Sequence, residues 1–183
     1  MDLREVTEFF NDFSKYIITI VIMILIFTFV IAFQPIAGNS MFPTLEEGNV
    51  VLLSRLSSRF GDFERNEIVS LKSDGKSFVK RIIGLPGESV DYLNGVLYIN
   101  DEGFDETFLS DDIVTSNFLF EDICSKEECP EGVIPDDMYL VLGDNRPESE
   151  DSRTTTFGLV EKKQIQGKVF FRVWPIQDFG NVN

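Results

Sequence analysis

The sequence predicts a mainly β fold: one N-terminal transmembrane helix followed by a β-sheet or barrel domain that carries a polar ribbon as an insertion. Three observations lead there. An uncharged apolar run extends from Tyr16 to Phe33. Short segments rich in β-branched and aromatic residues, bounded by turn formers, fill most of the chain after it. No long stretch beyond Phe33 has a helical period.

Residues 1–15 form a leader with Arg4 and Lys15 against Asp2, Glu5, Glu8 and Asp12. The run "YIITIVIMILIFTFVIAF", residues 16–33, is about the minimum length for a spanning helix. It is apolar all round rather than striped, which argues against a helix of a soluble core. Its acidic leader is unlike the basic n-region of a cleaved signal peptide, so we read an uncleaved anchor. Lys15 abuts the start of the run, and no Lys or Arg follows it until Arg55. That bias puts the N-terminus in the cytoplasm and residues 34–183 outside.

Residues 34–183 have the size of one domain. Strands are expected at Val50–Ser54, Glu67–Leu71, Ser77–Gly84 and Met138–Gly143. "VDYLNGVLYIN" reads as a hairpin turning at Asn94-Gly95. "GKVFFRVWP" is a last strand stopped by Pro175. The stretch 101–137 is more polar and reads as an extended ribbon or loop outside the core.

Composition removes whole classes of function. The chain's net charge is −15, and residues 34–183 hold 14 Lys and Arg against 27 Asp and Glu. So acidic a surface repels phosphate backbones, which excludes nucleic acid as a partner. There is no histidine, so Ser-His-Asp and Cys-His catalysis and His-ligated metals are ruled out. Cys124 and Cys129 are spaced C-x4-C with no second pair, too few ligands for a zinc site. They are free loop thiols, or a disulfide if the domain lies outside the cytoplasm.

Three segments hold residues with chemistry. "GNSMFPTL", Gly38–Leu45, follows the apolar run closely and contains Ser40. Serine is a poor nucleophile until a base takes its proton. Without histidine the base is a carboxylate, or a lysine whose burial lowers its pKa. In "SFVKRIIG" strand alternation puts Phe78, Lys80 and Ile82 on one face and Val79, Arg81 and Ile83 on the other. Both cations sit in apolar rows, and only the lysine can deprotonate. "GDNRPESEDSR", Gly143–Arg153, packs acids, arginines and serines behind a strand. It fits a calcium loop poorly, because Arg146 and Ser149 fall where an oxygen ligand and a glycine belong. It fits a polar scaffold better, with Asp151 pairing with Arg153 or Arg146 and Ser149 orienting a buried amine.

Together these segments resemble the type I signal peptidase family, membrane-bound serine–lysine proteases that remove signal peptides. "GNSMFPTL" is similar to its nucleophile box, "KRIIGLPGE" to its general-base box and "GDNRPESEDSR" to its Gly-Asp-Asn-Arg box, in the family's order and after an anchor. The resemblance implies Ser40 as nucleophile, Lys80 as general base and Met41 as a shaper of the site beside the serine; neither Met41 nor Phe42 need be a core residue. It implies that Ser149 orients the lysine amine, and that Asp144, Arg146, Asp151 and Arg153 support the site. The Ser40 N–H would be one oxyanion donor. Gly38 stands where some members carry a serine as the second. The family's Arg-Gly-Asp before the next strand is replaced by Arg65-Asn66-Glu67. The implied substrates are signal-peptide-bearing preproteins, bound as an added strand beside the lipid bilayer. No cofactor or metal is called for. Two rivals are weighed against this. A soluble self-cleaving repressor would have no anchor. A non-catalytic anchored β-domain would have no use for both Ser40 and Lys80.

Overall fold

The computed structural model describes residues 3–110, 112–155 and 157–182, with backbone alone for residues 3–10, 59 and 60. Asp2 and the side chains of Arg4, Glu5 and Glu8 therefore lie outside the described residues. Helix α1 spans Leu3–Phe29. Its apolar part, Asn11–Phe29, is long enough to cross a membrane and is 0% buried against the rest of the chain.

The helix stops before the apolar run does. Ile31–Pro35 is a strand, β1, paired antiparallel with β2, Val50–Ser54, from Ile31 opposite Ser54 to Pro35 opposite Val50. Hydrophobicity alone does not separate the end of a helix from the start of a strand. Here the unpaired edge of β2 decides the matter. The joint is held by Arg55, whose N–H donates to Val30 O at 2.8 Å and whose Nη1 donates to Thr28 O at 2.9 Å. These bonds satisfy carbonyls that the helix end leaves open.

A one-turn helix, α2 (Ser57–Phe60), leads to β3 (Ile68–Ser73) and β4 (Lys76–Gly84). The hairpin is β5 (Val90–Leu93) and β6 (Val96–Ile99), followed by β7 (Glu102–Phe104). Asn94 and Gly95 both have positive φ, as a tight two-residue turn requires. Then come a short α3 (Phe120–Ile123), β8 (Met138–Leu142), β9 (Val160–Glu161), β10 (Ile165–Trp174) and β11 (Gly180–Asn181). Two antiparallel sheets result. The larger runs β1-β2-β10-β3-β4-β8-β9, with β11 beside β10, and the smaller runs β5-β6-β7. Gly167 permits the β10–β2 contact, since a Cβ there would lie 2.5 Å from Ser54 O.

Part of the polar stretch 101–137 packs into the core. Phe118, Phe120, Cys124, Cys129 and Ile134 are buried with Val90, Tyr92, Leu97 and Ile99 of the hairpin, and with Ile83, Leu140 and Leu142 of the large sheet. Cys124 and Cys129 are joined by a disulfide, with Cα atoms 5.9 Å apart. Val114 stays 76% exposed, but the buried apolar residues of the segment are masked by its many charges in any average over the window.

Candidate active site

The site forms where three connections meet at the end of β4. The first is the loop after β1. Ile36 N–H donates to Asn49 O and Gly48 N–H to Ile36 O, closing the loop at its base. Leu45 N–H donates to Met41 O, which bends the chain around Ser40. Met41 and Leu45 are buried, with Ile36, Val51, Ile68 and Val79. Met41 packs in the core, and that packing anchors the loop. Phe42, by contrast, is 48% exposed beside the partly exposed Ser40. Among the described residues, Ser40 makes no hydrogen bond through its own hydroxyl or N–H.

The second is β4 itself, where Lys80 pairs with Val69 and Arg81 with Ile68 across the ladder. The two cations point to opposite faces, and both are only 1% exposed. Lys80 Nζ donates to Ser149 Oγ at 3.0 Å. Burial lowers its pKa from 10.5 to about 8; Arg153 adds to that, and the carboxylates of Asp151, Glu150 and Asp144 oppose it. Arg81 meets a carboxylate directly. Its Nε and Nη2 donate to Asp144 Oδ1 and Oδ2 at 2.8 and 2.6 Å. A buried cation with a matched anion stays charged, whereas an amine whose only hydrogen-bond partner is a hydroxyl is open to losing its proton.

The third is the loop after β8. Ser152 N–H donates to Val141 O and Ser152 Oγ accepts from Val141 N–H, which folds the loop back on the strand. Asp151 accepts from Gly143 N–H at 3.0 Å and from Arg153 Nε and Nη2, each at 2.8 Å. Burial works against the Asp151 charge, but the Arg153 guanidinium, the Gly143 N–H and the Ser149 hydroxyl hold its pKa below the usual 3.8. Asp151 thus pairs with Arg153, not Arg146. Arg146 Nη2 instead meets Glu106, and its Nη1 donates to Thr115 Oγ1 at 3.1 Å.

Gly143 is where the three connections touch. A Cβ there would lie 2.2 Å from Ser149 Oγ and 2.3 Å from Ser40 O. Asn145 N–H also donates to Ser40 O at 3.0 Å, and Thr44 Oγ1 donates to Asp144 Oδ2 at 2.6 Å. The structure therefore brings Ser40, Lys80, Asp144, Ser149, Asp151 and Arg153 to one place. Lys80 and Ser40 are not hydrogen-bonded to each other; Ser149 holds the amine. Gly38 has φ +78° and open space at its Cβ position, so it offers no side-chain donor. From the sequence, Pro43 and Thr44 are expected to fix the loop that aims the serine. Sequence reasoning missed the roles of Arg81, Glu106 and Thr115, of which only Arg81 carried a signal, lying inside a motif already singled out. A cleft of about 460 Å³, lined in part by Asn66, Arg81, Phe108 and Lys168, does not include Ser40 or Lys80. Among the described residues, no cluster of metal-ligating side chains is present.

Comparison with known proteins gives concordant results. A family model described as "Signal peptidase, peptidase S26" matches residues 10–174. Signal peptidase IB of Staphylococcus aureus is 37% identical over 181 residues, covering 92% of this chain and 93% of that protein. Signal peptidase I of Bacillus caldolyticus is 40% identical over 159 residues, covering 82% and 84%. A crystal structure of a signal peptidase I from Enterococcus faecalis V583 has 34% identity and a TM-score of 0.49, covering 58% of this chain and 96% of that one.

Proposed function

This chain belongs to the signal peptidase family, peptidase S26, and from that premise we propose that it cleaves preproteins with Ser40 as nucleophile and neutral Lys80 as general base. The activity itself, a serine endopeptidase that removes signal peptides, goes with the family. The observation that carries the residue assignment is the buried Lys80 amine. Its pKa is lowered to about 8, and it is held on Ser149 Oγ beside the glycine that Ser40 O also contacts.

Neutral Lys80 takes the Ser40 proton as Oγ bonds to the scissile carbonyl carbon. The carbonyl oxygen becomes an oxyanion facing the unengaged Ser40 N–H. The lysine then protonates the leaving amine as the peptide bond breaks, and the signal peptide stays on Ser40 as an ester. Water, deprotonated by the same amine, releases it. Ser149 keeps Nζ at its post throughout. Arg153 and Asp151 hold the loop that carries Ser149. The partly exposed Ser40 suits an extended substrate laid along the surface as a strand.

The orientation we propose has the N-terminus in the cytoplasm, α1 across the bilayer and the sheet domain outside. It rests on Lys15 before the run and the lack of any cation after it until Arg55. From Phe29, where α1 ends, to Ser40 the chain reaches at most roughly 40 Å, which keeps the site within reach of the outer interface, where a membrane-held signal peptide ends.

Ser40→Ala and Lys80→Ala, made in the full chain in detergent, test the assignment. Each is expected to lower preprotein turnover by at least about 10³-fold with the far-UV spectrum unchanged. Near-normal turnover by a folded Lys80→Ala protein would overturn it.

A further inference from the structure

We propose that Glu106, with Thr115, is a positioning residue for peptide-bond cleavage: through Arg146 it holds the loop that carries Ser149. This deepens the serine–lysine reading and rests on it. Both residues come from the polar stretch after β7, which the three catalytic motifs do not include.

The Arg146 side chain is 0% exposed, and the Glu106 side chain 8%. A buried guanidinium is tolerable only when its donors are satisfied and its charge is met. Arg146 Nη1 and Nη2 both donate to the Glu106 carboxylate, Nη1 donates also to Thr115 Oγ1 at 3.1 Å, and Nε donates to Gly143 O at 3.1 Å. Arg146 O in turn accepts from Arg153 Nη2 at 2.8 Å, and Arg153 is paired with Asp151. The guanidinium therefore spans from the polar stretch to the backbone of Gly143, the residue pressed between Ser149 and Ser40.

The rest of the stretch seats on the same structure. Phe104 lies over the Arg65 guanidinium at 5.2 Å, and Phe108 over that of Arg81 at 4.1 Å. Phe104, Glu106 and Phe108 each meet a different arginine, because the chain turns after Glu106, whose O accepts from Leu109 N–H at 2.9 Å. Arg81 holds Asp144, and Asp144 accepts from Thr44 of the nucleophile loop. The stretch is thus a strap across Arg146 and Arg81, which hold the loop after β8, and across Arg65, which holds Glu88.

If Glu106 acts only on folding, its loss lowers the folded fraction and leaves turnover per folded molecule intact. If it positions Ser149, its loss lowers kcat with KM little changed, because a small displacement of a catalytic group costs rate rather than binding. The full chain in detergent micelles, given a preprotein, separates the two. Glu106→Gln is expected to lower kcat at least about tenfold, with KM within about twofold. Thr115→Val lowers kcat several-fold and Thr115→Ser restores it. Should Glu106→Gln fail to fold, the Thr115 pair decides by itself. Folded Glu106→Gln and Thr115→Val proteins with parental kcat would overturn the proposal while leaving the dyad intact. Turnover that survives Ser40→Ala would overturn the dyad reading, and this inference with it.

Discussion

At the scale of residues, the site depends on a difference between two neighbours. Lys80 and Arg81 are equally buried on β4, and strand alternation in the sequence could not rank them. Their partners do, with a carboxylate for Arg81 and a hydroxyl for Lys80. The lysine's lowered pKa is also a stability statement. The unfolded chain keeps that proton up to pH 10.5, the folded one only up to about 8, so burial opposes folding below pH 8 and the penalty fades toward 10.5. Lys80→Met, which keeps the bulk without the amine, is expected to raise Tm at pH 7 by about 3 °C or more. That gain should disappear as pH climbs through the window. Thermal unfolding monitored by circular dichroism reads it, and a lower Tm at pH 7 would show that the amine is not held at a cost. The candidate residues themselves were legible because their motifs are local. Glu106 was not, since its contact with Arg146 joins positions 40 apart in sequence.

At the scale of elements, the strands legible in the sequence are those whose pattern is local. The Asn94-Gly95 hairpin is the clearest, because a turn type dictates its residues. β1 was hidden inside an apolar run that reads as helix to its end, and only the edge of β2 makes it a strand. β7 and α3 were hidden by the charges around them, although the Phe118–Ile134 segment completes a core with the hairpin. The disulfide closes that segment between Cys124 and Cys129. A loop so short is worth about 2 kcal/mol on the chain-entropy account. Replacing both cysteines by serine should lower Tm by about 5 °C. Alkylation of protein from its native compartment without reductant should label neither thiol. Two labelled thiols would place the domain in a reducing environment.

At the scale of the whole molecule, anchor and sheet are joined without a linker. α1 passes into β1 within two residues, and Arg55 ties Thr28 and Val30 to the end of β2. The joint leaves little chain between α1 and the sheet domain that carries Ser40. In cells stripped of any outer barrier, added protease should digest residues 34–183 from outside and spare the leader. Protection of the domain with loss of the leader would invert the topology. The central claim, that neutral Lys80 is the base, is tested most directly by kcat/KM of the full chain in detergent as a function of pH. With the amine's pKa near 8, kcat/KM should rise about tenfold per pH unit from pH 6 and level off above about 8. A profile that is flat or falls between pH 6 and 9 would contradict it.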